Sequence, residues 1–326
     1  MKIFVTGATG FIGKLLVEYL VARGDDVIAL IRKETDKQLF PDHVTFALGD
    51  ICDEDSLGNA GAGCDYLFHL AGMITFDPSQ RNDLIRVNGR GTETILTFAE
   101  KWGVKRSVVV SSACTSGLSF SCTELMTEDS EPDKDTVKRN PYMESKVMQE
   151  KAAFSASKNQ DVVVVNPTTV YGPGDSSLNS GSLIKKLYTS SLVPVPPGGS
   201  NVIDVADVVR GILAAADHGM SGKKYILGNE NLQFASIFSA IENVTGCHPI
   251  KVPLPHWMKQ PMGWAAWCVG KLTDSRFMTP QIIEDLFAYK YYSNLRAVQE
   301  LSWTPEFSFV ESVSRAWGFY QSHHLI

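Results

Sequence analysis

The chain has 326 residues, of which 44% are hydrophobic and 20% charged, and its formal net charge is −6. This composition is ordinary for a globular protein and excludes collagen, coiled-coil and largely disordered chains. The acidic excess argues against a nucleic-acid partner. The most apolar stretch, from Pro261 to Gly270, is too short to span a bilayer, so no transmembrane segment is expected.

The start of the chain and its cysteines bear on the cellular compartment. Residues 1–5 are already strand-like and leave no room for a signal peptide. The 6 cysteines contain no Cys-x-x-Cys pair and the 7 histidines are dispersed, so neither disulfides nor a metal site is predicted. These features predict a cytoplasmic protein with reduced thiols.

Short β-branched runs alternate with helical patterns through the first half of the chain. Strands are predicted at residues 2–6, 27–31, 44–48, 66–70, 107–111 and 161–165, and helices at 11–23, 81–101 and 141–157. The valine runs around Val109 and Val163 lack polar alternation, as is typical of central parallel strands covered on both faces. This order predicts an α/β fold with a doubly wound parallel sheet.

The character of the chain changes after Pro167, where proline and glycine become frequent. We therefore predict two domains, a dinucleotide-binding domain at 1–167 and a smaller substrate-binding domain at 168–326. Some segments of the second domain could share the sheet of the first.

The first predicted strand leads into the glycine-rich turn Thr6-Gly7-Ala8-Thr9-Gly10-Phe11-Ile12-Gly13 and then a helix. The first glycine suits a tight turn, the second lets the backbone approach a pyrophosphate, and the third permits close helix packing. The helix N-terminus offers free N–H groups to phosphates. This strand–turn–helix context predicts a Rossmann-type dinucleotide site. Its predicted cofactor contacts are Gly7, Thr9, Gly10, Phe11, Ile12 and Gly13.

The second predicted strand ends at Ile31 and is followed by Arg32 and Lys33. Ligands bind at the carboxyl ends of parallel strands, where a site that prefers NAD would carry Asp or Glu for the ribose hydroxyls. Asp25 and Asp26 lie at the other end of this strand. Two cations at the ligand edge favour NADP, through its 2′-phosphate, over NAD. An ordinary solvated Arg-Lys pair is the alternative interpretation.

Tyr142 and Lys146 are four residues apart in a predicted helix, which places both side chains on one face. An unperturbed tyrosine has a pKa near ~10, and a neighbouring ammonium would lower that pKa toward neutrality. Ser111 and Ser112 end a predicted strand, where one hydroxyl could polarise a carbonyl oxygen. Because strand residues alternate faces, only one of the two serines is expected to point at the site. Taken singly, both patterns also occur on helix surfaces and at strand ends.

Further motifs follow in an order that covers nearly the whole chain. They are Gly49-Asp50-Ile51, His69-Leu70-Ala71-Gly72, Val87-Asn88-Gly89-Arg90-Gly91-Thr92, Asn166 to Gly174, Asn201 to Val208, and Leu301 to Pro305. Together with the glycine-rich turn and the Ser112, Tyr142 and Lys146 set, they resemble the extended short-chain dehydrogenase/reductase family, in the NAD-dependent epimerase/dehydratase superfamily. Among its branches the dihydroflavonol-4-reductase-like group is the most similar.

This resemblance implies hydride transfer between a nicotinamide and a carbonyl carbon. Tyr142 matches the catalytic acid/base, Lys146 the residue that holds the nicotinamide ribose, Ser112 the substrate-orienting hydroxyl and Asn88 the proton-relay asparagine. Further implied cofactor contacts are Asp50, Ile51, Leu70, Ala71, Gly72, Ser111, Tyr142, Lys146 and Pro167. The expected substrate contacts are Met73, Phe76, Ser112, Tyr142 and Thr168.

Departures from other branches narrow the reaction. Residues 112–115 read Ser-Ala-Cys-Thr and lack the Thr-Asp-Glu trio of nucleotide-sugar 4,6-dehydratases. Ala113 stands where sugar epimerases often have a third Ser or Thr, and Thr115 could substitute for it only if the loop were rearranged. These departures favour reduction of a carbonyl compound with NADPH. A nucleotide-sugar epimerase and a non-catalytic NADP-binding sensor or assembly factor are the alternatives, and the joint presence of the catalytic residue types opposes the second.

An aromatic segment in the C-terminal half bears on the substrate. It contains Trp257, Met258, Met262, Trp264, Trp267 and Val269. The simplest interpretation is a helix packed on the core. The alternative is a lid over an apolar substrate, or a surface that touches a membrane or partner. An apolar lid favours a flavonoid-, steroid- or terpenoid-like ketone as the small-molecule substrate. A homodimer is considered as a separate expectation.

Overall fold

A computed structural model describes residues 1–40, 43–75, 77–273 and 280–326, with side chains everywhere except at 267–279. The strands are β1 (Lys2–Thr6), β2 (Asp26–Ile31), β3 (Thr45–Leu48), β4 (Tyr66–His69), β5 (Arg106–Val110), β6 (Val162–Pro167), β7 (Thr169–Tyr171), β8 (Leu192–Val195), β9 (Gly199–Asp204), β10 (Lys224–Leu227), β11 (Glu230–Gln233), β12 (Ile250–Pro253) and β13 (Tyr289–Lys290). The helices are α1 (Phe11–Ala22), α2 (Glu54–Leu57), α3 (Arg81–Leu84), α4 (Gly91–Trp102), α5 (Lys134–Arg139), α6 (Pro141–Ala156), α7 (Gly181–Thr189), α8 (Val205–His218), α9 (Phe234–Thr245), α10 (Lys259–Thr273), α11 (Pro280–Phe287), α12 (Leu295–Leu301) and α13 (Phe309–Ser322).

Seven strands form a parallel sheet in the order β3-β2-β1-β4-β5-β6-β10. The predicted α/β fold with a doubly wound parallel sheet is confirmed. The first six of these strands in chain order lie within two residues of their predicted bounds. The predicted helix at 81–101 is continuous but contains a π-helical turn at Ile85–Arg90 between α3 and α4, which periodicity alone does not reveal.

The valine runs form central strands because both faces of the sheet are covered. Val108 and Val110 of β5 face a buried cluster that contains side chains of α1 and α8. Val109 faces the opposite cluster, against Ile95 of α4 and Ala153 of α6. Successive strand residues point to opposite faces, so a strand covered on both sides is apolar throughout.

The second half of the chain contributes both to this sheet and to a separate layer. β10 extends the sheet beside β6, and α8 packs on the face that α1 also covers. Beyond the sheet, β9 pairs with β7, β11 and β13, and β8 pairs with β12. A further apolar cluster lies in this region and includes Tyr171, Phe238 and Phe309. The division at residue 167 stays a prediction, and one strand from beyond it lies in the central sheet.

Only some side chains of the aromatic segment at 257–269 pack against the rest of the protein. Met258 and Met262 lie against a small buried cluster formed by Ala266, Ile283 and Phe287. Trp257 and Trp264 are 72% and 70% exposed. The side chains of the predicted members Trp267 and Val269 lie outside the described residues. None of the helices in the described part of the chain combines the length and apolarity needed to span a bilayer.

Candidate active site

The turn after β1 brings backbone atoms into very close contact. Gly7 has a φ of +70°, and a Cβ added there would lie 2.4 Å from the Ala71 backbone nitrogen. A Cβ on Gly13 would lie 2.1 Å from the Gly7 carbonyl oxygen. The Gly10 N–H donates to that same carbonyl at 3.0 Å, and α1 begins directly after Gly10. Both close approaches therefore require glycine, and they leave the N-terminus of α1 open to a phosphate.

A cleft of about 570 Å³ lies at the carboxyl ends of β1, β2 and β4, a volume typical of cofactor and ligand sites. Many predicted cofactor residues line it: Gly7, Thr9, Gly10, Arg32, Asp50, Ile51, Leu70, Ala71 and Gly72. Sequence reasoning missed further lining residues: Leu30, Gly49, Asp83, Arg86 and Val87. Phe11, Ile12, Gly13 and Lys33 are absent from the described lining of this cleft, and Met73, predicted as a substrate contact, lines it.

A second cavity of about 150 Å³ lies beyond the ends of β5 and β6. Four predicted residues line it: Ser112, Tyr142, Pro167 and Thr168. The predicted residue Phe76 lies outside the described residues. The walls also include Leu118, Met143, Asp285, Lys290 and Tyr292. The last three come from segments far along the chain, so no local pattern could have assigned them to this cavity.

Ser112 and Tyr142 meet in this cavity. Their hydroxyl groups are hydrogen-bonded, and that bond lowers the pKa of the Tyr142 phenol, whereas burial has the larger effect and raises it. The net direction is upward, opposite to the lowering expected from the Tyr-x-x-x-Lys spacing. The physical reason is that desolvation penalises the phenolate. The Lys146 ammonium itself donates to Gln149 at 2.7 Å and to the Val110 carbonyl at 3.4 Å.

Lys146 is a buried cation with a well-defined environment. Lys146 is only 5% exposed. Burial lowers its pKa to about 8, and the nearby Cys114 and Glu150 oppose that lowering. The Lys146 ammonium also lies close to the cofactor cleft, since a Cβ on Gly72 would be 3.5 Å from Nζ. Lys146 is on α6, the helix that carries Tyr142, and its ammonium thus lies between that helix and the cleft.

Asn88 lies in the π-helical turn, and both polar atoms of its side chain are hydrogen-bonded. Its Oδ1 accepts the Met73 N–H at 2.7 Å, and its Nδ2 donates to the Met73 carbonyl at 3.0 Å and to Ser145 Oγ at 2.8 Å. Ser145 Oγ in turn donates to the Tyr142 carbonyl at 2.7 Å. Asn88 therefore ties a wall of the cleft to the helix of Tyr142. Its proton-relay role stays a prediction.

Comparison with known proteins identifies the family. The model of the NAD dependent epimerase/dehydratase family matches residues 3–228. The chain belongs to this family. The family prediction is confirmed, and the chain is an NAD(P)-dependent oxidoreductase of the extended short-chain dehydrogenase/reductase type, as are relatives named reductases and dehydrogenases.

Two relatives and one solved structure show how far this likeness extends. The protein "Putative dihydroflavonol 4-reductase" of Synechocystis sp. is 32% identical over 336 residues, which cover 99% of this chain and 95% of the relative. "Sterol demethylase protein B" of Methylococcus capsulatus is 32% identical over 254 residues, 76% of each protein. The crystal structure of gox2253 aligns with a TM-score of 0.86 at 26% identity and covers 98% of each chain.

The residues of the cleft fit the nicotinamide dinucleotide of the epimerase/dehydratase family. Gly7 and Gly10 line the cleft without a side chain and α1 begins directly after Gly10, an arrangement that lets a phosphate approach the helix N-terminus. At the end of β5 the buried Ser111 hydroxyl has no hydrogen-bond partner among the described residues, and the Thr168 hydroxyl in the cavity wall is in the same situation. Buried hydroxyls are costly to leave unpaired, and Thr168 lines the cavity, so its hydroxyl indicates a ligand-facing position, whereas Ser111 is in the described lining of neither the cavity nor the cleft.

The hydroxyl of Thr115 is bonded within the protein. Thr115, which could replace the missing third hydroxyl, points away from the cavity. Its Oγ1 bonds to Glu150 Oε1 at 2.6 Å and accepts from Asn166 Nδ2 at 2.9 Å. The same Asn166 amide donates to the Ser112 carbonyl at 2.9 Å. Thr115 and Asn166 thus support the backbone of Ser112 from behind.

Proposed function

We propose that the protein is an NADPH-dependent reductase of an apolar small-molecule carbonyl compound. The observation that carries this proposal is the meeting of the Ser112 and Tyr142 hydroxyls in one cavity, next to a glycine-lined cleft with Arg32 in its wall. A cytoplasmic location, a homodimer, and the division into 1–167 and 168–326 belong to the same proposal and are supported by the sequence alone.

The chemistry assigns a separate task to each side chain. When bound, the nicotinamide supplies or accepts the hydride. Ser112 donates a hydrogen bond to the substrate carbonyl oxygen, and Tyr142 gives its proton to that oxygen as negative charge develops. The raised pKa of Tyr142 keeps the phenol protonated at neutral pH, which suits a proton donor in the direction of reduction. Lys146, cationic below a pKa of about 8, holds the nicotinamide ribose.

Cofactor preference depends on the cation at the end of β2. Arg32 lines the cleft, whereas Lys33 does not, so the 2′-phosphate contact falls to Arg32. We expect NADPH to bind more tightly than NADH. Arg32→Ala should weaken NADPH binding about 10- to 100-fold, because a charge-assisted hydrogen bond is lost, and leave NADH binding nearly unchanged. Fluorescence titration of both cofactors measures this.

The matched control is Lys33→Ala, which removes the adjacent cation outside the cleft. It should change neither affinity by more than about twofold, because an exposed cation contributes little. Equal affinity of the unmodified protein for NADPH and NADH would show that Arg32 and Lys33 are merely a solvated pair.

Substrate class is supported by the cavity walls and by two relatives. Ala113, Leu118, Met143 and Tyr292 give the cavity an apolar side. The names of the two relatives described above refer to dihydroflavonol and sterol compounds. The lining also contains an ion pair of Asp285 and Lys290 at 3.3 Å, which favours a substrate with one polar end.

The test of function is a screen of NADPH oxidation with purified protein. We expect turnover of flavonoid-, steroid- or terpenoid-like ketones and none of UDP-sugars. Epimerisation of a UDP-sugar without net loss of NADPH would establish the epimerase alternative instead. Tight NADPH binding with no turnover of any carbonyl compound would support a sensor or assembly factor.

A further inference from the structure

Lys146 is held by a side chain that no family motif quoted above contains. Its Nζ donates to Gln149 Oε1 at 2.7 Å, and the Val110 carbonyl is a longer contact at 3.4 Å. Gln149 is completely buried and lies one turn further along α6. An ammonium only donates, so the oxygen end of the Gln149 amide must face Lys146. The amide nitrogen therefore faces the other way.

That nitrogen continues a buried hydrogen-bond chain toward the glycine-rich turn. Gln149 Nε2 donates to Thr92 Oγ1 at 3.2 Å, and Thr92 Oγ1 pairs with His69 Nε2 at 2.7 Å. His69 Nδ1 pairs with Thr6 Oγ1 at 2.7 Å, and Thr6 Oγ1 accepts the Ala71 N–H at 3.2 Å. Thr6, His69, Thr92 and Gln149 are all 0% exposed. The chain thus runs without interruption from the cofactor cleft to Lys146.

The proton positions in this chain follow from its partners. Burial lowers the pKa of His69 to about 3, with the Lys146 charge as a second cause, so the imidazole is neutral. Thr92 Oγ1 gives its only proton to the Asn88 carbonyl at 2.7 Å, so His69 Nε2 carries the proton and donates to Thr92. His69 Nδ1 then accepts from the Thr6 hydroxyl. The Thr6 and Thr92 hydroxyls and the His69 imidazole each have an acceptor for their proton, which favours a single arrangement of this buried chain.

We infer that Gln149 is a positioning residue for Lys146, which orients its ammonium and links it through Thr92 and His69 to the cofactor-binding turn. The side chain acts through Lys146 and touches neither hydride nor substrate carbonyl. This inference rests on the proposed function for its catalytic meaning, whereas the interaction between Gln149 and Lys146 can be measured without any substrate.

The titration of Lys146 is the decisive measurement. The other titratable groups whose charge acts on its ammonium are Glu150 on the same helix, Cys114 after β5, and His69 on β4. All of them are retained in variants at position 149. Gln149→Leu removes the acceptor at similar size, and Gln149→Glu keeps an acceptor and adds a negative charge.

The experiment measures the chemical shift of the Lys146 13Cε nucleus by NMR as a function of pH. The variant Lys146→Met lacks this signal and therefore assigns it. Gln149→Leu should lower the pKa of Lys146 by about one to two units, and Gln149→Glu should raise it by about one. The basic limb of the kcat/KM profile should move in the same two directions. A role confined to packing would lower thermal stability in both variants without opposite shifts.

Gln321→Leu and Gln321→Glu, at an exposed position near the end of α13, are the matched controls and should leave the Lys146 signal unchanged. If Gln149→Leu does not fold, Gln149→Glu alone decides. A Lys146 pKa that stays within about 0.3 units in each folded variant overturns the inference. If the unmodified protein reduces no carbonyl compound, the proposed function fails, and the NMR titration still decides the role of Gln149.

Discussion

Tyr142→Phe is expected to lower kcat for carbonyl reduction by about 10²- to 10⁴-fold, the range typical of general acid–base catalysis. The substitution removes one hydroxyl and keeps the ring, so the wall of the cavity is retained. Because the cofactor cleft is lined by other residues, the affinity for NADPH should stay within about twofold. Stopped assays of NADPH absorbance and fluorescence titration of NADPH measure the two quantities.

Tyr188→Phe is the matched control, since Tyr188 is an exposed tyrosine that packs against Trp317 at a distance of 4.7 Å between ring centroids. Its kcat should equal that of the unmodified protein. Undiminished turnover by Tyr142→Phe would remove the proposed mechanism, because the oxygen that we assign as proton donor would be dispensable.

Gly7→Ala is expected to abolish measurable NADPH binding and to destabilise the protein by about 2–5 kcal/mol. Two separate costs contribute. An alanine at a φ of +70° costs roughly 1–2 kcal/mol. The new Cβ, 2.4 Å from the Ala71 nitrogen and 2.5 Å from the Leu70 carbonyl carbon, forces backbone apart at a further cost of about 1–3 kcal/mol. Cofactor titration and thermal or urea unfolding measure both effects.

Gly103→Ala separates these two costs. Gly103 has a φ of +74°, and an added Cβ would meet no described atom within 4 Å. It carries the conformational cost without the collision, so we expect a loss of about 1–2 kcal/mol and unchanged NADPH affinity. Equal behaviour of the two variants would mean that the close approach of Gly7 to Leu70 and Ala71, directly after β4, has no role in binding.

The sequence was sufficient where a local rule determines the structure. The turn at Gly7 is predictable because a positive φ and a close backbone approach exclude every side chain at that position. The strands around Val109 and Val163 are predictable because an apolar run without alternation fits only a strand covered on both faces. The pairing of Tyr142 with the helix face of Lys146 follows from helical spacing alone.

Local rules failed where the neighbours of a side chain come from remote segments. The spacing of Tyr142 and Lys146 suggested a lowered tyrosine pKa, yet burial raises the pKa of Tyr142, and Lys146 bonds to Gln149. Thr115 follows Ser112 closely in the chain, but its contacts with Glu150 and Asn166 turn it away from the cavity. Neither outcome could be derived before the packing of α6 and β6 was known.

The length and composition of the chain, with its residue patterns, thus determined the parallel sheet and the cofactor turn, because each depends on the conformational limits of adjacent residues. The order of the motifs indicated the oxidoreductase family. Only the tertiary structure decided which charges meet. It placed Asp285 and Lys290 in the substrate cavity and Arg86 in the cofactor cleft. It also placed Gln149 beneath Lys146. The physical reason is that burial and hydrogen-bond partners are set by contacts between distant segments, which no local pattern of residues encodes.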